Sequence, residues 1–89
     1  MKPIISFEEL KALMKEHFDG ENPHFEELCD NDEELAQATL KGTLEMDSLD
    51  LVELLLAIEH KYNYSYGEAI EEKVGYSTTV TEFLNLLNE

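Results

Sequence analysis

The segment from Asp47 to Tyr62 constrains the fold most, because it predicts a helix whose apolar residues cannot fit a single stripe. At about 100° per residue they form two faces, one of Leu51, Leu54, Leu55, Ile58 and Tyr62 and a second of Leu49, Val52 and Leu56. A chain of 89 residues can hardly bury one helix on all sides. One face should therefore be core. The other is either an exposed binding surface or a face that a small bundle covers, and periodicity alone does not decide between them.

Capping patterns place the ends of the main helices. Asp47 is a good N-cap for the central helix, and Asp50 favours the positive end of the helix dipole. The pair Ser6 and Glu9 has the spacing of a capping box and predicts a first helix from about Ser6 to His17. Thr79 and Glu82 form a second such pair, which predicts a last helix.

The remaining segments are harder to assign. Residues 21–45 have few apolar positions and predict a long connection with a short helical turn or two, including a turn at Gly42. Tyr62, Tyr64 and Tyr66 alternate with polar residues, which predicts an extended segment with the rings on one side. Residues 67–73 predict one or two helical turns. The expected fold is all-α, a small four-helix bundle with a long first loop, formed as a single domain by residues 1–89.

The charge balance excludes two classes of partner. Six basic residues, none of them arginine, stand against 21 acidic ones, which gives a net charge of −15. Such a chain cannot neutralise a row of nucleic-acid phosphates, and it should not dock to anionic lipid. We expect it to associate quickly with basic protein surfaces.

The cellular compartment and the oligomeric state are predicted from features that the sequence lacks. Cys29 is the only cysteine, which indicates a reducing compartment, and the first residues lack the apolar core of a signal peptide. The longest apolar run, Leu54 to Ile58, is too short to cross a bilayer. We expect a cytoplasmic monomer that does not insert into membranes. Its three histidines show no metal-ligand spacing, so no metal site is expected.

Ser48 stands at the predicted start of the central helix. Such a serine is usually only a helix-start residue. It lacks the glycine-bracketed elbow of a hydrolase nucleophile, and no histidine is close in sequence to act as a base, so we expect no enzyme activity. A helix N-terminus does, however, tolerate a phosphate group.

The motif Asp47-Ser48-Leu49 and the acidic, leucine-rich helix after it resemble those of acyl carrier proteins. The resemblance extends along nearly the whole chain. It implies that Ser48 carries 4′-phosphopantetheine, which comes from coenzyme A and is joined to the serine by a phosphodiester. Asp47 and Leu49 complete the attachment motif. The terminal thiol of that arm would hold acyl groups as thioesters for fatty-acid or polyketide-type biosynthesis.

The same resemblance implies a set of partner-binding residues. Acidic side chains of the central helix would meet lysine and arginine on partners, and apolar ones would supply an anchor; these are Asp47, Asp50, Glu53 and Glu59, and Leu49, Val52 and Leu56. The implied partners are a phosphopantetheinyl transferase and acyl-transferring, condensing and modifying enzymes with basic surfaces. For any single acid, a solvated helix face is the alternative interpretation.

Several positions depart from the family pattern. Glu45 and Met46 stand where a glycine usually precedes the motif, the first loop is long, and His60 and Lys61 replace common carboxylates. The three tyrosines replace mainly aliphatic positions and either line a cleft for cargo or are core and rim aromatics. These departures suggest a specialised carrier. Two alternatives stay open: an aminoacyl, D-alanyl or peptidyl carrier, and an acidic helical adaptor without the arm.

Overall fold

The computed structural model describes residues 2–89, and Met1 lies outside the described residues. Within this range the chain forms one small helical domain, with extents of 34 × 22 × 21 Å. Six helices follow one another: α1 (Phe7–Phe18), α2 (Pro23–Leu28), α3 (Asp32–Gln37), α4 (Ser48–Tyr62), α5 (Ala69–Lys73) and α6 (Val80–Asn88). The all-α prediction is confirmed for the described part of the chain. An isolated antiparallel bridge joins Thr39 to Thr79.

The three main helices begin where the sequence predicts. Ser6 and Glu9 form a reciprocal capping box at α1, and Thr79 and Glu82 form another at α6. At α4 the Asp50 amide donates to Asp47 Oδ1 at 2.8 Å, and the Asp47 amide donates to Asp50 Oδ2 at 3.2 Å. Each box satisfies two backbone amides that a helix start would leave without partners.

The long connection between α1 and α4 contains two short helices. Pro23 is the first residue of α2, whose N-cap Asn22 accepts hydrogen bonds from the amides of His24 and Phe25. Asn31 is the N-cap of α3, and its side-chain oxygen accepts a hydrogen bond from the Glu34 amide. The isolated apolar residues of this acidic stretch anchor it to the core, since Phe25, Leu35 and Leu40 are all buried.

Contacts across the core bring distant parts of the chain together. α1 packs against α4 and α6, and α3 packs against α6. Lys11 on α1 forms an ion pair with Asp32 on α3 at 2.8 Å. No helix within residues 2–89 combines the length and the apolarity that crossing a membrane requires.

The two ends of the domain are joined by one side chain. The Ile5 amide donates to Asn88 Oδ1, and Asn88 Nδ2 donates to the Ile5 carbonyl, both at 2.8 Å and partly buried. We expect Asn88→Ala to lower the free energy of unfolding by about 1–3 kcal/mol, because both backbone groups lose their partner. Urea denaturation measures the change. Asn85→Ala, an exposed asparagine on the same helix, is the control and should have little effect.

Candidate functional site

Ser48 is the first residue of α4, and its side chain is exposed. Asp47 precedes it in an extended conformation and takes over the capping of the helix, so the serine hydroxyl is not needed for that purpose. The α4 N-terminus carries free amides and the positive end of a 15-residue helix dipole. Ser48 therefore offers an accessible hydroxyl at a helix start, where the amides and the dipole tolerate a phosphate group.

The two apolar faces of α4 have different environments. Leu51, Leu54, Leu55 and Ile58 are buried in the core, as predicted for one face. On the second face Leu49 is 67% exposed and Leu56 is 56% exposed, with the half-buried Val52 between them. We call Leu49, Val52 and Leu56 the apolar patch. Because the bundle does not cover it, the structure favours the first of the two sequence interpretations, an exposed surface beside Ser48.

The four predicted recognition acids are in three different situations. Asp47 and Asp50 hold each other's amides in the capping box, and Glu53 is exposed next to the apolar patch. Glu59 is half-buried, and its Oε2 accepts hydrogen bonds from the amides of Tyr66 at 2.6 Å and Gly67 at 3.2 Å. Glu59 thus fixes the loop that follows α4, a role that the sequence did not indicate. Its contact with a partner stays a prediction.

A cleft of about 300 Å³ lies beside Ser48. Its lining includes residues from three parts of the chain, namely Lys41, Ser48, Leu51, Glu68, Glu71 and Glu72. Neither Lys41 nor the glutamates at the start of α5 stand out in the sequence, since nothing local shows that the Gly42 turn and α5 face Ser48. The cleft places one cation and three carboxylates beside the serine.

The loop before Ser48 has the conformation that glycine favours, although no glycine is present. Glu45 adopts the left-handed region with φ 52°, and its side chain contacts His24 at the start of α2. Met46 is buried, and its amide donates to the Leu40 carbonyl at 3.0 Å. These contacts hold the segment in place directly before Asp47. A further cleft of about 480 Å³ runs from α2 along this segment to Asp50 and Glu53.

The three tyrosines lie at the other end of α4. Tyr62 is the last residue of α4 and Asn63 is left-handed with φ 51°, so the predicted extended segment is wrong at its start. The alternation of exposure is present, since each tyrosine is half-buried while Asn63 and Ser65 are exposed. The rings of Tyr64 and Tyr66 meet edge to face with centroids 4.9 Å apart. Tyr62 lies fourteen residues after Ser48 on the same helix, so about 20 Å separates these two residues. Their contact with a cargo stays a prediction.

Burial and neighbouring groups change the acidity of two of these phenols. Burial raises the pKa of Tyr62, and the hydrogen bond that its hydroxyl donates to Glu9 Oε2 at 3.1 Å raises it further. The pKa of Glu9 is lowered by its hydrogen bonds with Ser6 and then with Tyr62. Burial also raises the pKa of Tyr66, followed by the effects of Tyr64 and Glu59. These interactions join α1, α4 and the loop after α4, and so help to hold the fold together.

The site can present a hydroxyl for covalent modification and an apolar, acidic surface for a visiting protein. No group of three or more His, Cys, Asp or Glu side chains in residues 2–89 is arranged to hold a metal ion. Neither a protein-family model nor a solved structure matches the chain.

Proposed function

We propose that this protein is an acyl carrier that receives 4′-phosphopantetheine on Ser48 and presents acyl thioesters to biosynthetic enzymes. The observation that carries the proposal is the exposure of Ser48 at the start of α4, directly beside an uncovered apolar patch. A buried hydroxyl would have excluded modification by another protein. An exposed hydroxyl flanked by a docking surface is what a modifying enzyme requires.

The residues around Ser48 fit the prosthetic group. Its hydroxyl would be joined to the phosphate, and the adjacent amides and dipole of α4 favour that negative charge. The cleft beside it gives the start of the arm a surface to follow. When bound, the group supplies a thiol on a flexible tether, which holds acyl groups as thioesters. Every other contribution in this proposal comes from the side chains of α4 and its neighbours.

The helix arrangement is part of the proposal. We infer that α1, α4, α5 and α6 are the four helices of a carrier bundle, with α2 and α3 as insertions in a long first loop. The packing of α1 against both α4 and α6 supports this assignment. The net charge of −15 and the free carboxylate of Glu53 support fast, weak encounters with basic enzyme surfaces.

Intact-mass spectrometry tests the proposal. The purified chain is incubated with coenzyme A and a phosphopantetheinyl transferase of broad specificity, and the expected result is a gain of one phosphopantetheinyl group per chain. Peptide mapping should place it on Ser48. An unmodified chain, under conditions in which a known carrier is fully converted, would leave the acidic adaptor as the better interpretation.

The nature of the cargo needs a second measurement. The modified protein is offered acyl and aminoacyl donors with the corresponding loading enzymes, and the thioester that forms is identified by mass. Loading with acyl groups is expected. Exclusive loading with an amino acid would instead make the protein an aminoacyl or peptidyl carrier with the same attachment chemistry.

Charge steering gives a prediction for Glu53. We expect Glu53→Lys to slow modification by the transferase about three- to tenfold at low salt, because it reverses the free charge beside the apolar patch. Added salt should reduce the difference, since it screens exposed charges. Initial rates of mass gain measure the effect. Glu27→Lys on α2 makes the same change in net charge; an equal slowing there would show that only total charge matters.

A further inference from the structure

We propose that Lys41 is a positioning residue that pairs with the phosphodiester on Ser48. This inference rests on the proposed function. Lys41 and Ser48 line the same cleft, and Lys41 is the only cation among its lining residues. The chemistry it would recognise is a phosphate monoanion attached to the serine oxygen.

Lys41 lies in a turn that is fixed by its own hydrogen bonds. The Thr43 amide donates to Thr39 Oγ1 at 2.8 Å, and the Thr39 amide donates to Thr43 Oγ1 at 3.1 Å. The backbone on either side is also held, because the Leu44 amide donates to the Thr39 carbonyl at 3.0 Å. The turn therefore presents Lys41 to the cleft from a defined position and not from a free loop.

Gly42 is required for this arrangement on steric grounds. A Cβ atom at this position would lie 2.5 Å from Thr39 Oγ1, the atom that holds the turn together. Real Cβ atoms do not approach an oxygen so closely, so any other residue would displace the threonine pair. The sequence thus combines a glycine that closes the turn with a lysine directly before it.

The surrounding charges explain why a cation is needed here. The carboxylates of Glu68, Glu71 and Glu72 share the cleft, and a phosphate on Ser48 would add a further negative charge beside them. In the described part of the chain the lysine ion pairs use Lys11 and Lys73, and none involves Lys41. Its ammonium group is therefore available, and it offsets repulsion that the acidic cleft would otherwise impose on the arm.

A thermodynamic cycle tests the pairing. Unfolding by urea is measured for the apo and modified forms of the wild type and of K41M. We expect K41M to raise the unfolding constant of the modified form by roughly two- to fivefold more than that of the apo form, the effect of an exposed ion pair. The excess should vanish at high salt. K41R should behave as the wild type, because it keeps the charge.

The control is K15M, which removes an exposed lysine on α1 and should affect both forms equally. In parallel, the phosphorus NMR signal of the modified protein should shift in K41M and stay unchanged in K15M. If K41M affects both forms equally and the phosphorus signal does not move, the proposed role of Lys41 is overturned, while the proposed function is not. If the wild type gains no phosphopantetheinyl group, this inference and the proposed function fall together.

Discussion

The S48A variant is expected to gain no mass when it is incubated with coenzyme A and a phosphopantetheinyl transferase, while the wild type is fully converted. The side-chain hydroxyl of Ser48 is the only atom of that residue that can form the phosphodiester, so its removal eliminates the reaction and does not merely slow it. The loss should be complete at any enzyme concentration. Intact-mass spectrometry gives the result directly.

The folded state of S48A should be preserved, which makes the loss of modification interpretable. Asp47 and not Ser48 caps α4, and the serine side chain is exposed, so we expect a change of about 0.5 kcal/mol or less in unfolding free energy. Ser65→Ala, at another exposed serine, is the matched control and should be modified like the wild type. Modification of S48A, or loss of modification in Ser65→Ala, would contradict the assignment of the attachment site.

Features set by neighbours in the sequence could be predicted well. A capping box depends on two residues three positions apart, and both predicted boxes form. The buried face of α4 follows from the helical repeat, and Leu51, Leu54, Leu55 and Ile58 all lie in the core. The exposed apolar patch could be proposed but not decided, because exposure depends on what the rest of the chain covers.

Features set by distant contacts could not be predicted. In the acidic segment 21–45 the sequence predicts a short helical turn or two but not where they lie, because Phe25 and Leu35 hold α2 and α3 through contacts with the core. Lys41 and Ser48 share a cleft only because the turn, α4 and α5 meet in space. Glu59 belongs to the acidic pattern of α4, yet its carboxylate faces the amides of Tyr66 and Gly67.

Glu45 shows how tertiary contacts can impose a backbone conformation that a side chain disfavours. In the loop before Ser48 it adopts the left-handed conformation that glycine prefers. Such a conformation costs a non-glycine residue about 1–2 kcal/mol. The next residue, Met46, is buried, and its amide donates to the Leu40 carbonyl. These contacts hold the backbone at Glu45 in place, so tertiary contacts offset the local cost.

The variant L54A is expected to lose about 2–5 kcal/mol of unfolding free energy. Leu54 is completely buried on α4, so its truncation removes apolar contacts and leaves a cavity that close-packed neighbours fill only in part. A domain of this size has a total stability of about 4–13 kcal/mol, and the net charge of −15 weakens it through self-repulsion. Urea denaturation measures the change in unfolding free energy.

The variant L56A separates the two faces of α4. Leu56 lies two residues further along the same helix and is 56% exposed, so its truncation should change the stability by about 0.5 kcal/mol or less. If the apolar patch is a docking surface, L56A should nevertheless lower the transferase kcat/KM about fivefold or more, as loss of an interface anchor does. A stable L56A that is modified at the wild-type rate would remove Leu56 from the docking surface. Equal destabilisation by L54A and L56A would instead show that both faces of α4 are core in solution.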